Sequence, residues 1–342
     1  MNKIYIFLFF LSVIVVACSN SGTDKSNTDS VQVSENKPEI ILPTDSKLLI
    51  DYLNETGDYV NSRNFPSLIK ASVVFDELNK KNLVIDIRKQ ENYKKGHIKG
   101  SVNVDFSDIP EYFQSKIKPF EYDKIIMVCS TGQYSSYATA LLRLMGYGNV
   151  YAMRWGMSSW SKEVAKDNWL KGISSKYETQ LETNDIAKPS NGKFPDFSMA
   201  AKNGEEVLQA RVKELFKAGL ENTTISADSV FKNAPNYFII NFERKDKYDA
   251  GHIPGSIRYK PTGTLGIVDE MATLPSGKNI VVYCGTGHNS GFVTAYLNLF
   301  GYKAQTLDFG NNSFMHDRMI KDKELSWVYF TEKDIANYPI VK

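Results

Sequence analysis

Two interior cysteines stand in the same local setting, and it is one that activates a thiol. Cys129 closes the apolar run Ile125-Ile126-Met127-Val128 and is followed by Ser130-Thr131-Gly132-Gln133-Tyr134-Ser135. Cys284 closes Ile280-Val281-Val282-Tyr283 and is followed by Gly285-Thr286-Gly287-His288-Asn289-Ser290. Each stretch reads as a buried strand, a tight loop and the start of a helix. A thiol at that junction faces unpaired backbone N–H groups and the positive end of the helix dipole, which favour a nucleophilic thiolate. Gly132 and Gly287 let the backbone curl its N–H groups toward the sulfur. Ser135 and Ser290 are expected to cap the helices. Ser130, Thr131, Thr286, His288 and Asn289 offer donors to an anionic ligand, and Gln133 and Tyr134 complete the loops. An inert buried thiol and a Cys129–Cys284 disulfide are the alternatives.

The shared setting is one part of an internal duplication. The two cysteines are 155 positions apart. Gly96-His97-Ile98 and Gly251-His252-Ile253 each place their His 32 residues before the Cys, and Gly146-Tyr147 and Gly301-Tyr302 each begin 17 residues after it. The elements between these landmarks follow one plan. Leu83 to Ile87, Lys124 to Val128 and Asn149 to Met153 are short apolar runs of the kind that form buried parallel strands. Tyr237 to Phe242, Ile280 to Tyr283 and Ala304 to Leu307 match them. Helices are expected over Ser135 to Met145, from about Ser72 with Val74, Phe75 and Leu78 turned inward, and over the stretches holding Leu48 to Val60 and Val207 to Phe216. Alternating strands and helices imply an α/β fold with a parallel sheet in each half. The polar segment 174–204, with Pro189, Gly192 and Pro195, is the expected linker between domains at 46–173 and 205–342.

The remaining cysteine, Cys18, ends the mostly apolar run Ile4 to Ala17, which Lys3 precedes. Those 14 residues are too few for a membrane span, which needs roughly 20. They read as a signal peptide over residues 1–17. Val15-Val16-Ala17-Cys18 resembles the lipobox of bacterial lipoproteins, which implies acylation of Cys18 and export to the cell envelope on a lipid anchor. The polar stretch that follows reads as a tether over 18–45. The 41 basic and 39 acidic residues nearly balance, which gives no argument for nucleic acid or an anionic membrane surface as a partner. No Gly-rich nucleotide loop and no metal-ligand spacing occurs in the sequence.

Asp86-Ile87-Arg88, Gly96 to Ser101, Cys129 to Ser135, Trp155-Gly156 and Trp160 together resemble a rhodanese domain. Gly251 to Ser256, Cys284 to Ser290 and Phe309-Gly310 repeat the pattern. The resemblance covers about residues 65–165 and 222–320, and its motifs agree in order and spacing twice. Cys284-Gly285-Thr286-Gly287 is also similar to the loop of mercaptopyruvate-type sulfurtransferases. The family implies two rhodanese-like domains, each a parallel sheet flanked by helices. It also implies sulfur transfer without metal or organic cofactor: Cys129, Cys284 or both would take a sulfane sulfur from thiosulfate, mercaptopyruvate or a polysulfide and pass the persulfide sulfur to a thiol or other thiophilic acceptor. His97, His252 and the pair Asp86 and Arg88 are expected to be structural, with Trp155, Trp160, Phe309 and Phe314 packed near the loops or in the core.

Two departures matter. Many rhodaneses carry an Arg in or just after the loop to hold an anionic donor, and neither loop here contains Arg or Lys. This weakens the case for thiosulfate. It also disfavours a phosphatase of the same fold, which needs a longer loop closed by a bidentate Arg. The second half replaces Asp86 by Asn241 and Arg88 by Glu243. A non-enzymatic module that binds a partner protein or a sulfur species is the rival reading.

Overall fold

The apolar runs become the inner strands of two separate five-stranded sheets in the computed structural model, which describes residues 40–190, 192–262, 265 and 270–342. The first sheet comprises β1 (Leu68–Ile69), β2 (Asn82–Asp86), β3 (Val102–Asn103), β4 (Lys124–Val128) and β5 (Val150–Met153) in the order β1-β5-β4-β2-β3. The second comprises β6 (Thr224–Ile225), β7 (Tyr237–Asn241), β8 (Ile257–Arg258), β9 (Asn279–Tyr283) and β10 (Lys303–Leu307) in the order β6-β10-β9-β7-β8. Every pairing is parallel. Asp86 sits level with Val128 and Asn241 with Tyr283, so each cysteine leaves the carboxyl end of the central strand. Open parallel sheets bind ligands at that end.

Both faces of each sheet are buried, which explains why these strands are apolar throughout rather than alternating. Ile125 and Met127 of β4 face a core shared by the two repeats, and Ile126 and Val128 face a separate cluster with Val74, Met153 and Trp160. In β9, Ile280 and Val282 join the shared core, and Val281 and Tyr283 pack outward with Phe314 and Met315.

Six helices matter for the site: α1 (Thr44–Thr56), α2 (Ala71–Asp76), α3 (Gln90–Lys95), α4 (Gln133–Leu144), α5 (Gly204–Ala218) and α6 (His288–Leu299). The two helices that follow the cysteines, α4 and α6, pack against each other, as do α1 and α5. A Cβ on Gly204 would run into the Leu48 carbonyl, so glycine sets how closely α5 approaches α1. The repeats thus share one core, and the described residues form one compact body.

Each repeat also lends its C-terminal extension to the other. Behind the first repeat, the Ser174 N–H donates to Asn312 O (2.8 Å), Tyr177 N–H to Phe314 O (3.2 Å), and Glu182 and His252 exchange two backbone bonds of 2.9 Å. Behind the second, Ala336 N–H donates to Ser159 O (2.9 Å), Tyr338 N–H to Trp160 O (2.8 Å), and His97 and Val341 exchange bonds of 2.9 and 3.0 Å. Tyr177 stacks on Phe231 and Tyr338 on Phe75, each pair 4.1 Å apart at 3°. The segment expected to be a plain linker therefore begins as a strap across the second repeat.

Local differences from the sequence reading have physical causes. Phe75 is 37% exposed rather than turned inward, because its partner is the strap residue Tyr338. α4 begins at Gln133, not Ser135, and α1 begins at Thr44 behind Pro43. Cys18, the signal peptide and most of the tether lie outside the described residues. Among the described residues, no helix is long and apolar enough to cross a membrane.

Candidate active site

Gly132 and Gly287 are the N-cap residues of α4 and α6, at φ 90° and 76°. Only a residue without Cβ enters this left-handed region freely. The turn aims the following N–H groups back at the sulfur. Cys129 Sγ accepts from Gly132 N–H at 3.1 Å and from Ser135 N–H at 3.4 Å, and lies 3.6 Å from Ser135 Oγ. Cys284 Sγ accepts from Ser290 N–H at 3.4 Å and lies 3.6 Å from Ser290 Oγ. Both thiols are free and buried. The expected serine caps are corrected. Glycine takes the cap position in both loops, and the serines sit inside the first helical turn, Ser135 Oγ donating to Gly132 O (3.0 Å) and Ser290 Oγ bonding Thr306 Oγ1.

A tight turn from the next strand supports each loop. Met157 N–H donates to Cys129 O (2.8 Å) and Asn311 N–H to Cys284 O (3.0 Å). The residues opening these turns, Trp155 and Phe309, have φ of 64° and 60°. Such angles are costly for aromatic residues and persist only where the surroundings fix them. The fixing contacts come from the opposite repeat. Trp155 N–H donates to His288 Nε2 at 3.0 Å, and Phe309 N–H donates to Gln133 Oε1 at 3.2 Å. Gln133 Nε2 also donates to Leu307 O at 3.3 Å. Gln133 and His288, equivalent positions in the duplication, thus form a reciprocal clasp between the repeats.

His288 is fully buried, Trp169 stacking on its ring and Trp155 meeting it edge-on. Burial, aided by Arg154, lowers its pKa to about 3, which keeps the ring neutral and Nε2 an acceptor. The remaining loop residues are close to the protein's own polar groups. Thr286 Oγ1 lies 2.7 Å from His288 Nδ1, Thr131 O accepts from Trp169 Nε1 at 2.9 Å, Ser130 O accepts from Ser158 N–H at 3.1 Å, and Tyr134 Oη lies 3.4 Å from Thr224 Oγ1. Ser130, Thr131, Tyr134, Gly285 and Asn289 are half-buried.

The two loops differ most in what lies beneath them. Under the first, Arg88 grips Asp86 through Nε and a terminal nitrogen (3.0 and 2.6 Å), and the same nitrogen donates to Gly96 O at 2.8 Å. Under the second, Glu243 is buried with its carboxylate 3.9 Å from Lys247 Nζ, and a Cβ on Gly285 would come within 3.0 Å of Oε1. Burial pushes Glu243 up to about 6 against the pull of Lys247. The Cys284 thiol is also raised, by burial first and Glu243 second, against the backbone N–H groups of Thr286 and Ser290. His97 and His252 sit on Tyr93 and Tyr248 with Nδ1 3.0 and 2.9 Å from the tyrosine carbonyls, a turn-stabilising role.

The sequence showed that Glu243 replaces Arg88 but not that its carboxyl is buried. It gave no signal for Trp169, for the clasp, or for the strap over His97.

The Rhodanese-like domain matches residues 71–163 and 228–317, more than half of the chain. The chain belongs to the rhodanese-like family. Among curated proteins it is similar to the tRNA uridine(34) hydroxylases of Teredinibacter turnerae (32% identity, 25% of this chain and 28% of the relative) and Acaryochloris marina (29% identity, 35% and 37%). This rhodanese-like chain spans about a third of the length of such relatives. Among solved structures it is similar to the thiosulfate sulfurtransferase of Pseudomonas aeruginosa (18% identity, 75% of this chain and 46% of that one, TM-score 0.29). It is also similar to a rhodanese-related protein of Thermoplasma volcanium (24% identity, 28% and 92%, TM-score 0.26).

Proposed function

We propose that this rhodanese-like chain is a sulfurtransferase and that Cys129 is its principal nucleophile. The observation that carries the reading is the cradle of backbone N–H groups around the Cys129 sulfur, at 3.1 and 3.4 Å, over the Arg88–Asp86 pair. The Cys129 thiolate attacks the outer sulfur of a donor such as thiosulfate, mercaptopyruvate or a polysulfide. A Cys129 Sγ–S bond forms, the donor's bond to that sulfur breaks, and the leaving group takes the electron pair. An acceptor thiolate or other thiophile then attacks the terminal sulfur and returns Cys129 as thiolate. Convergent N–H donors stabilise the anionic persulfide as they do the thiolate. In the second loop, Glu243 beside Gly285 disfavours an anionic sulfur, which supports a lesser role for Cys284.

Intact mass after exposure to each donor tests this. Wild type and Cys284→Ser should gain one sulfur, about 32 Da. Cys129→Ser should gain none. If neither cysteine gains sulfur from any donor, the chain is a binding module and not an enzyme.

The proposed setting is the cell envelope, through acylation of Cys18. Cys18→Ser should move the protein out of the membrane fraction. If that variant fractionates like wild type, the anchor is elsewhere or absent.

A further inference from the structure

The loop lacks the cation that commonly holds an anionic donor, yet cations gather beside it. A cavity of about 590 Å³ is lined by Ser130, the residue after Cys129, together with Arg88, Lys95, Asn168, Ile340 and Lys342. That volume is in the range of small-molecule sites. Arg88 is spent on Asp86, whereas Lys95 and Lys342 are exposed and make no ion pair among the described residues. Lys89, Lys94 and Lys99 stand near them along the chain, equally exposed and likewise without an ion pair among the described residues. The acidic side chains opposed to these five are Glu91 on α3 and, in the cavity wall, Asp167 and Glu163, the last already paired with Lys166 at 3.5 Å.

The second repeat arranges its cations differently. Counting by the duplication, Lys94 and Lys95 become Asp249 and Ala250, and Lys99 becomes Pro254. Arg244 pairs with Asp246, Lys245 with Asp249 (2.7 Å) and Asp185 (3.6 Å), and Lys247 with Glu243 (3.9 Å). Arg318 and Lys323 stand there where the first repeat has Glu163 and Asn168, without an ion pair among the described residues, so what is peculiar to the Cys129 side is the pair of lysines from α3 and the strap.

Lys342 does not belong to the first repeat. The strap from the second repeat delivers it, fixed by the His97–Val341 bridge and by Ile340 packed against Gly96. We propose that this strap completes a binding site for a small sulfane-sulfur anion beside Cys129, with Lys342 and Lys95 supplying the cationic grip that the loop itself lacks. This deepens the sulfurtransferase reading and rests on it for the identity of the anion. The field itself is independent of any sulfur chemistry.

The test uses the full chain and compares Cys129 alkylation by iodoacetate, an anion, with iodoacetamide, which is neutral, read per cysteine by mass spectrometry. In Lys95→Glu/Lys342→Glu, the iodoacetate-to-iodoacetamide ratio at Cys129 should fall about fivefold at low ionic strength and the gap should close with salt. The ratio at Cys284 should not move. A second measurement needs no reactive sulfur: calorimetric binding of thiosulfate to Cys129→Ser should weaken about fivefold when the two lysines are reversed. An unchanged ratio at Cys129 together with unchanged thiosulfate binding overturns the proposal, as does an equal fall at Cys284. If the field is present but wild type gains no sulfur, the site stands as an anion site and only the enzyme reading fails.

Discussion

Replacing Glu243 by Gln should stabilise the protein at neutral pH and leave it unchanged in acid. Burial raises Glu243 from 4.5 to about 6 in the fold. A raised acid binds its proton more tightly folded than unfolded, so its contribution is neutral below the unfolded value. Stability is lost as pH rises through the window from 4.5 to about 6, and the loss is constant above it. At 1.36 kcal/mol per pKa unit the full loss is about 2 kcal/mol. Gln keeps the shape and removes the charge, although Lys247 then loses its partner 3.9 Å away, so about 2 kcal/mol is an upper bound. Asp308, also raised to about 6 by burial, titrates in both proteins and cancels in the difference. Urea unfolding at pH 4 and pH 7.5 measures the gap. The same substitution should speed alkylation of Cys284, whose thiol Glu243 holds up. A gap of equal size at both pH values, or none at either, refutes the electrostatic account.

Arg88→Ala should cost roughly 3–5 kcal/mol in urea unfolding, because it strands the buried Asp86 carboxylate. His288→Ala leaves the buried Trp155 N–H without its acceptor and should cost about 1–3 kcal/mol. His288→Gln should recover part of that loss, since Gln133 already plays the equivalent part toward Phe309. A His288→Gln variant no more stable than His288→Ala would mean that the ring's packing against Trp169, not its acceptor, holds the clasp.

What the sequence revealed about this fold was whatever leaves a local mark. The runs around Ile126 and Val281 announced buried parallel strands, and the constant spacing from Gly-His-Ile to Cys announced the repeat. The cysteine-to-helix junction was equally legible. Ser135 and Ser290 have the right chemistry for a cap but stand inside the first helical turn. Gly132 and Gly287 take the cap position because the loop must bend toward sulfur. Phe75 reads as a core residue, yet its apolarity is satisfied by Tyr338, far along the chain. Gln133 and His288 read only as members of their loops, because a polar residue in a glycine-rich loop carries no record of what it meets across an interface. Their partners lie in the other repeat, and no periodicity encodes that.

The exchange of C-terminal extensions gives the molecule the geometry of a dimer that traded arms and was then joined end to end. A half expressed alone would have the wrong arm. The first repeat would carry Tyr177 with no Phe231 to stack on and would leave Phe75 and Trp160 uncovered. Such a half has an incentive to find another copy and trade again. The joined chain satisfies both arms internally, and the clasp of Gln133 and His288 ties the loops together while leaving what lies beneath each one free to differ. Glu243 in place of Arg88 is a difference of that kind: one loop stands over the Arg88–Asp86 pair and the other over a buried carboxyl, while the shared frame around them is kept.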